Sequence, residues 1–116
     1  MEADLRNIVE EFSDIVEVIE KLEISEEEQV SKLKARLNLY DGTILWVREI
    51  RLKKVIQAYS YYWLRPDQTI IVGWDNAPHH KEVESFPHHK HIGNKIDPSQ
   101  EKNLRSVLSF IKGFLV

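Results

Sequence analysis

The stretch Leu33-Lys34-Ala35-Arg36-Leu37-Asn38-Leu39-Tyr40-Asp41-Gly42-Thr43 decides how the chain is read. Leu33, Ala35, Leu37 and Leu39 alternate with Lys34, Arg36 and Asn38, and Lys32 extends the polar set. Such alternation is the signature of a strand with one wet face. Asp41-Gly42 follows as a hairpin signal, and it predicts a type I′ turn with positive φ at both central positions. Beyond the turn, a second strand is expected from Thr43 to Arg51. A third is expected from Val55 to Leu64, rich in β-branched and aromatic residues. Arg65-Pro66-Asp67-Gln68 reads as a turn with Pro at its second position. The fourth strand, Thr69 to Trp74, is almost wholly apolar, which predicts a central strand covered on both faces.

The flanks are read as helices. Leu5, Ile8, Val9, Phe12, Ile15, Val16, Ile19 and Leu22 follow a 3-4 spacing, which predicts one amphipathic helix over residues 3–23. From Asp75 to Asp97 regular periodicity stops, broken by Pro78, Pro87 and Gly93. Asp97-Pro98-Ser99-Gln100 then offers a cap, a first-turn proline and a capping-box partner. The closing helix would bury Leu104, Val107, Leu108, Ile111 and Leu115. The expected fold is therefore a single α+β domain over residues 1–116. It has an N-terminal helix, a four-stranded, mainly antiparallel meander, a His-rich loop and a C-terminal helix packed on one sheet face.

Composition narrows the setting. The 116 residues are 42% hydrophobic and contain no cysteine, so disulfides, thiolate metal sites and thiol nucleophiles are excluded. The acidic start Met1-Glu2-Ala3-Asp4 does not have a signal-peptide pattern. No apolar run reaches the ~20 residues that span a bilayer, so no membrane association is expected, and the expected compartment is the cytoplasm. The Glu and Lys content with a single Met fits a thermophilic source. Net charge is −3, unevenly placed: residues 1–29 hold 11 acids and 2 bases, whereas residues 30–116 hold 14 bases and 8 acids. Such asymmetry fits either an anionic ligand such as RNA on the basic part, or an acidic segment that pairs with it.

All five histidines fall between positions 79 and 91, in Asp75-Asn76-Ala77-Pro78-His79-His80 and Phe86-Pro87-His88-His89-Lys90-His91. Histidine titrates near neutrality, which suits it to proton transfer and to metal ligation. One reading is a ribonuclease that needs no cofactor. His79 or His80 exchanges one proton and His88, His89 or His91 the other, while Asp75 orients an imidazole. Arg48, Arg51 or Lys90 would hold the phosphate, and Tyr61 and Tyr62 are candidate base-stacking residues. The alternative is a non-catalytic His-rich module that binds metal or a partner protein. His88 and His91 with Asp75 would then hold a divalent ion such as zinc. No Gly-rich phosphate loop and no Gly-x-Ser-x-Gly elbow is present.

The run Tyr59-Ser60-Tyr61-Tyr62-Trp63, with Trp74-Asp75-Asn76-Ala77-Pro78-His79-His80 and Phe86-Pro87-His88-His89-Lys90-His91, resembles the TumE family of toxins from prokaryotic toxin–antitoxin pairs. The resemblance covers nearly the whole chain in length and order. It implies a small cytoplasmic toxin encoded beside an antitoxin that binds and silences it. Many such toxins are ribonucleases, so it also implies RNA as a partner. An exposed strand edge or helix face would serve antitoxin binding or a homo-oligomer.

Overall fold

The wet-and-dry alternation that starts at Leu33 continues through a sheet of seven strands, in a computed structural model that describes residues 1–115. The order is α1 (Glu2–Glu11), β1 (Val16–Glu27), β2 (Val30–Leu39), β3 (Ile44–Leu52), β4 (Val55–Leu64), β5 (Ile70–Asp75), β6 (His89–Ile92), β7 (Lys95–Pro98) and α2 (Leu104–Leu115). Each strand pairs antiparallel with the next, so the sheet is a simple meander, β1 to β7 in sequence order.

Both helices cover one face. Leu33, Ala35, Leu37, Leu45, Val47, Tyr59, Tyr61, Trp63, Val72 and Trp74 point into it and meet Leu5 and Phe12 of the N-terminal segment and Leu104, Val107, Leu108 and Ile111 of α2. Each fully buried aliphatic side chain there contributes roughly 1.5–3 kcal/mol. The opposite face of the sheet carries no helix.

The α+β class and the meander agree with the sequence reading, but three of its elements do not. The long N-terminal helix stops at Glu11, and Val16–Glu27 is a strand. Ile15, Val16, Ile19 and Leu22 fit a helical stripe. However, β-branched Val16, Val18, Ile19 and Ile24 also suit a strand, and pairing along the whole of β2 wins. The closing helix begins at Leu104 rather than Pro98, because Asp97 and Pro98 lie in β7. Its cap is Asn103, whose Oδ1 accepts from Ser106 N at 2.9 Å, while Ser106 Oγ accepts from Asn103 N at 3.2 Å. The expected irregular loop contains the β6–β7 hairpin, closed by Gly93 at φ +60°. Seven strands therefore replace the expected four.

The hairpin at Asp41-Gly42 forms with a different turn. Leu39 N donates to Thr43 O, and Gly42 N to Leu39 O, which leaves a three-residue loop with only Gly42 at positive φ, +89°. Arg65 to Thr69 repeats the same bonds, with Gln68 in the glycine's place at φ +69°. In both, an aspartate Oδ1 accepts from the threonine two residues on. Gly42→Ala places a Cβ in the left-handed region and should cost about 1–2 kcal/mol. Chemical denaturation checks this, and no loss would show that the loop relaxes.

The acidic N-terminal segment does pair with the basic remainder. Asp4 meets Arg51, Glu11 meets Arg105, Asp14 meets Lys112 and Glu20 meets Arg36. The Lys112 ammonium holds the Asp14 carboxyl below its ordinary value.

Candidate functional site: a histidine cluster on the open sheet face

Cross-strand register builds the site. Lys34, Arg48, Ser60, Asp75 and His89 lie opposite one another on successive strands β2 to β6. Directly opposed residues of an antiparallel sheet share a face. The neighbouring row is Arg36, Trp46, Tyr62, Gly73 and His91. Both rows stand on the face that the helices leave open.

Asp75 ends β5 and is the hub. Its Oδ1 lies 2.9 Å from His89 Nε2 and accepts from Ala77 N at 3.0 Å, and its Oδ2 lies 3.2 Å from His91 Nε2. Burial, then the Asp75 charge, raises the Tyr62 phenol, against the pull of Arg48. Three groups thus converge on one carboxylate that is 8% exposed.

His80 completes the cluster from the loop. Its ring meets those of His89 and His91 edge-on at 4.8 and 5.9 Å, and His89 and His91 are 4.9 Å apart. One ring nitrogen from each of the three comes within 4.8 Å of the others. His80 Nδ1 also faces Glu82 at 3.3 Å, a contact that helps hold the Glu82 carboxyl below its ordinary value. The loop that brings His80 back is anchored at both ends. Asn76 stands in for a strand residue: its Oδ1 accepts from Tyr59 N and its Nδ2 donates to Gln57 O. Val83 is buried, Ser85 Oγ donates to His88 O, and Ser99 N donates to Ser85 Oγ.

His89 is 2% exposed, and its Nδ1 lies 3.0 Å from Pro87 O. A carbonyl only accepts, so Nδ1 carries a proton. A neutral His89 would then point the Nε2 lone pair at the Asp75 carboxylate. A contact at 2.9 Å needs a proton or a cation between the two groups, so either they share a proton or a cation bridges them.

The remaining candidates separate by face. His88 points to the helix side, where its Nδ1 meets Tyr59 OH at 2.8 Å and its ring stacks on Tyr59. Burial, then Lys102 and His89, lower the His88 pKa. His88 therefore does not join Asp75 and His91 as the expected His88–His91–Asp75 metal set requires, and the histidines whose ring nitrogens come together are His80, His89 and His91. Lys90 also points to the helix side, onto Glu101 at 3.0 Å and over Phe110. Tyr61 is fully buried and donates to Glu49 at 2.6 Å, and Arg51 grips the same Glu49 at 2.7 Å. Tyr61, Arg51 and Lys90 thus lie on the covered face and do not reach the cluster. His79 is exposed and makes no side-chain hydrogen bond among the described residues. Of the expected phosphate- and base-binding residues, Arg48 and Tyr62 share the open face with the histidines.

Three contributors escaped the sequence reading. Gly73 leaves space for the Tyr62 ring: a Cβ there would lie 2.5 Å from its Cδ1 and Cε1. Ser60 stands between Arg48 and Asp75, and Trp46 stands in the neighbouring row between Arg36 and Tyr62. Carrying the Lys32-Lys34-Arg36 parity across the hairpins would have found both of them. Gly73→Ala should force Tyr62 aside at a cost of about 1–3 kcal/mol. Gly73→Ala in a Tyr62→Ala background should cost much less, a coupling measurable by a double-mutant cycle. Equal costs in both backgrounds would place the strain elsewhere.

No curated protein and no solved structure matches the chain. Among the described residues, no helix is long and apolar enough to cross a membrane. A family model described as toxin TumE matches residues 5–115, from the first turn of α1 to the end of α2. That span takes in the Asp75 hub and every histidine of the cluster, and so the chain belongs to the TumE toxin family.

Proposed function

We propose that this toxin is an RNA endonuclease and that strand scission occurs at the His80–His89–His91 cluster. The observation that carries the reading is the shared open face. Register sets Arg48, Ser60, Asp75 and His89 in one row and Tyr62 and His91 in the next, so a cation for phosphate and the proton-transfer groups face the same space. Membership in a toxin family implies a cognate antitoxin as partner.

Cleavage by the RNA's own 2′-hydroxyl needs a proton acceptor for that hydroxyl, a donor for the departing 5′-oxygen, and positive charge near the phosphate. His91 donates Nε2–H to Asp75, which leaves Nδ1 to accept the 2′-hydroxyl proton. His80, at the mouth of the cluster, gives the proton to the leaving 5′-oxygen. His89, buried and donating at both nitrogens, offsets the Asp75 charge and keeps the carboxylate aimed at His91. Arg48 meets the phosphate oxygens. The products are a 2′,3′-cyclic phosphate and a free 5′-hydroxyl. End-group analysis of cleaved RNA tests the scheme, and a 5′-phosphate product would exclude it.

A second reading has its own observation. Three histidine nitrogens within 4.8 Å of one another, beside a carboxylate, form the nitrogen and oxygen donor set of a zinc centre. A metal ion between His89 and Asp75 would meet the charge requirement as well as a proton does, and the Pro87 carbonyl would fix the tautomer. The chain would then be a metal-organised binding module. Elemental analysis separates the readings: stoichiometric zinc without cleavage supports the module, and cleavage that survives EDTA supports histidine proton transfer.

A further inference from the structure

The open face has a second feature, of which the cleavage scheme uses only Arg48. Between β1 and β4 lies a trough of about 460 Å³. Lys32, Lys34 and Arg48 line it, flanked by Ser25 and Ser60, and its acids are Glu23 and Glu49, the latter held by Arg51 and Tyr61. Lys34 and Arg48 are direct cross-strand partners. Like charges in that position destabilise a sheet. Among the described residues, none of Lys32, Lys34 and Arg48 has an ion-pair partner, whereas Arg36 and Arg51 do. Glu23 stands opposite Lys34 on β1 but forms no ion pair with it, so the two cations leave net positive charge in a concave surface, which is complementary to a polyanion lying across it.

Beside the trough stands Trp46, opposite Arg36 and Tyr62 in the next row. Lys34 Nζ, Arg36 Cζ and Lys21 Nζ lie 5.6, 5.8 and 6.0 Å from its ring. The ring is partly exposed. An accessible indole among cations is the arrangement that stacks an unpaired base while its phosphates are held. A duplex buries its base faces in its own stack and cannot use such a platform. The trough also leads to the histidines. From Arg48 through Ser60 to Asp75 are two strand spacings, about 10 Å.

We propose that this trough is the seat of single-stranded RNA: Lys32 and Lys34 hold the preceding phosphates and Trp46 stacks a base, which delivers the next phosphate to Arg48 and the histidine cluster. The inference rests on RNA as the substrate and adds where the strand lies and that it must be unpaired.

The test is fluorescence anisotropy with a short labelled RNA on the full chain carrying His91→Ala, so that bound RNA stays intact. The expected result is binding of the single strand, with the same sequence as a duplex, and free nucleoside monophosphate, both much weaker. Trp46→Ala should weaken binding on the order of 10-fold. Lys34→Ala should lower the slope of log K against log salt by about 1. Thermal unfolding midpoints verify that both variants fold. Equal affinity for duplex, or Trp46→Ala and Lys34→Ala that bind like the parent, would overturn the trough. So would tight binding of the free nucleotide without the strand. Cleavage that requires His91 but ignores Trp46 and Lys34 would refute the trough and leave the nuclease reading standing. Strand binding that depends on Trp46, in a protein that never cuts, would refute the nuclease reading and leave the trough.

Discussion

Alanine at His91 is expected to lower the rate of RNA cleavage by about 10²–10⁴, the usual worth of a positioned proton-transfer group. His91 is the partly exposed ring whose Nε2 faces Asp75, so it is both oriented and reachable. His80→Ala should show a loss of the same order. The double variant should lose little more than either single, because residues of one proton relay act as a unit. His79→Ala is the control: that side chain is exposed and outside the cluster, and its loss should leave the rate within a few-fold. His88→Ala should change stability more than rate, since it stacks on Tyr59 on the helix side. A normal rate in both His91→Ala and His80→Ala would sink the assignment. A rate that collapses only in His88→Ala would move the chemistry to the other face.

Arg51→Ala should cost about 3 kcal/mol of folding stability and leave any RNA cleavage by the folded fraction unchanged. Arg51 reads from sequence as a phosphate ligand, but its guanidinium is spent on Glu49 at 2.7 Å and Asp4 at 3.2 Å. Glu49 is 4% exposed, and the Tyr61 hydroxyl donates to it. Hydrogen bonds to Glu49 hold the Arg51 pKa above its ordinary value in spite of partial burial, and burial, then Glu49, raise the Tyr61 phenol. Removing Arg51 leaves a buried carboxylate uncompensated, which is the expensive way to break an ion pair. The figure sits at the low end of that range because the Asp4 end is exposed. Arg51→Ala with Glu49→Gln should recover much of the loss, since the charge is gone while Tyr61 keeps an acceptor. Urea denaturation of the three proteins checks this. A variant of unchanged stability but lowered RNA affinity would return Arg51 to the substrate.

The histidine cluster was legible in one dimension and hidden in three. The crowding of every histidine between His79 and His91, next to Asp75, marked the segment as the candidate site. Which histidines converge was not legible. His89 and His91 come together because β6 is a strand and alternate residues share a face, whereas His88 and Lys90 point through to the helices. A loop reading of the segment gave no parity to apply. Histidine and lysine are poor strand signals, and the short β6 owes its form to pairing with β5 and β7. His80 joins only because its loop folds back, held by Asn76, Val83 and Ser85.

Sequence alone determined the meander, the wet face of β2, the hairpin at Asp41-Gly42, the apolar face of α2 and the family resemblance. All of these rest on local periodicity, turn chemistry or short motifs, which need no distant partner. Tertiary structure decided the rest. It ended α1 at Glu11, because pairing to β2 stabilises Val16–Glu27 as a strand against a helical stripe that fits the same residues. It sent Arg51, Tyr61 and Lys90 inward and kept Arg48 and Tyr62 outside. It gathered His89 and His91 on Asp75, because register between strands far apart in the chain, and not spacing within one segment, sets which side chains meet, and a folded-back loop set His80 beside them.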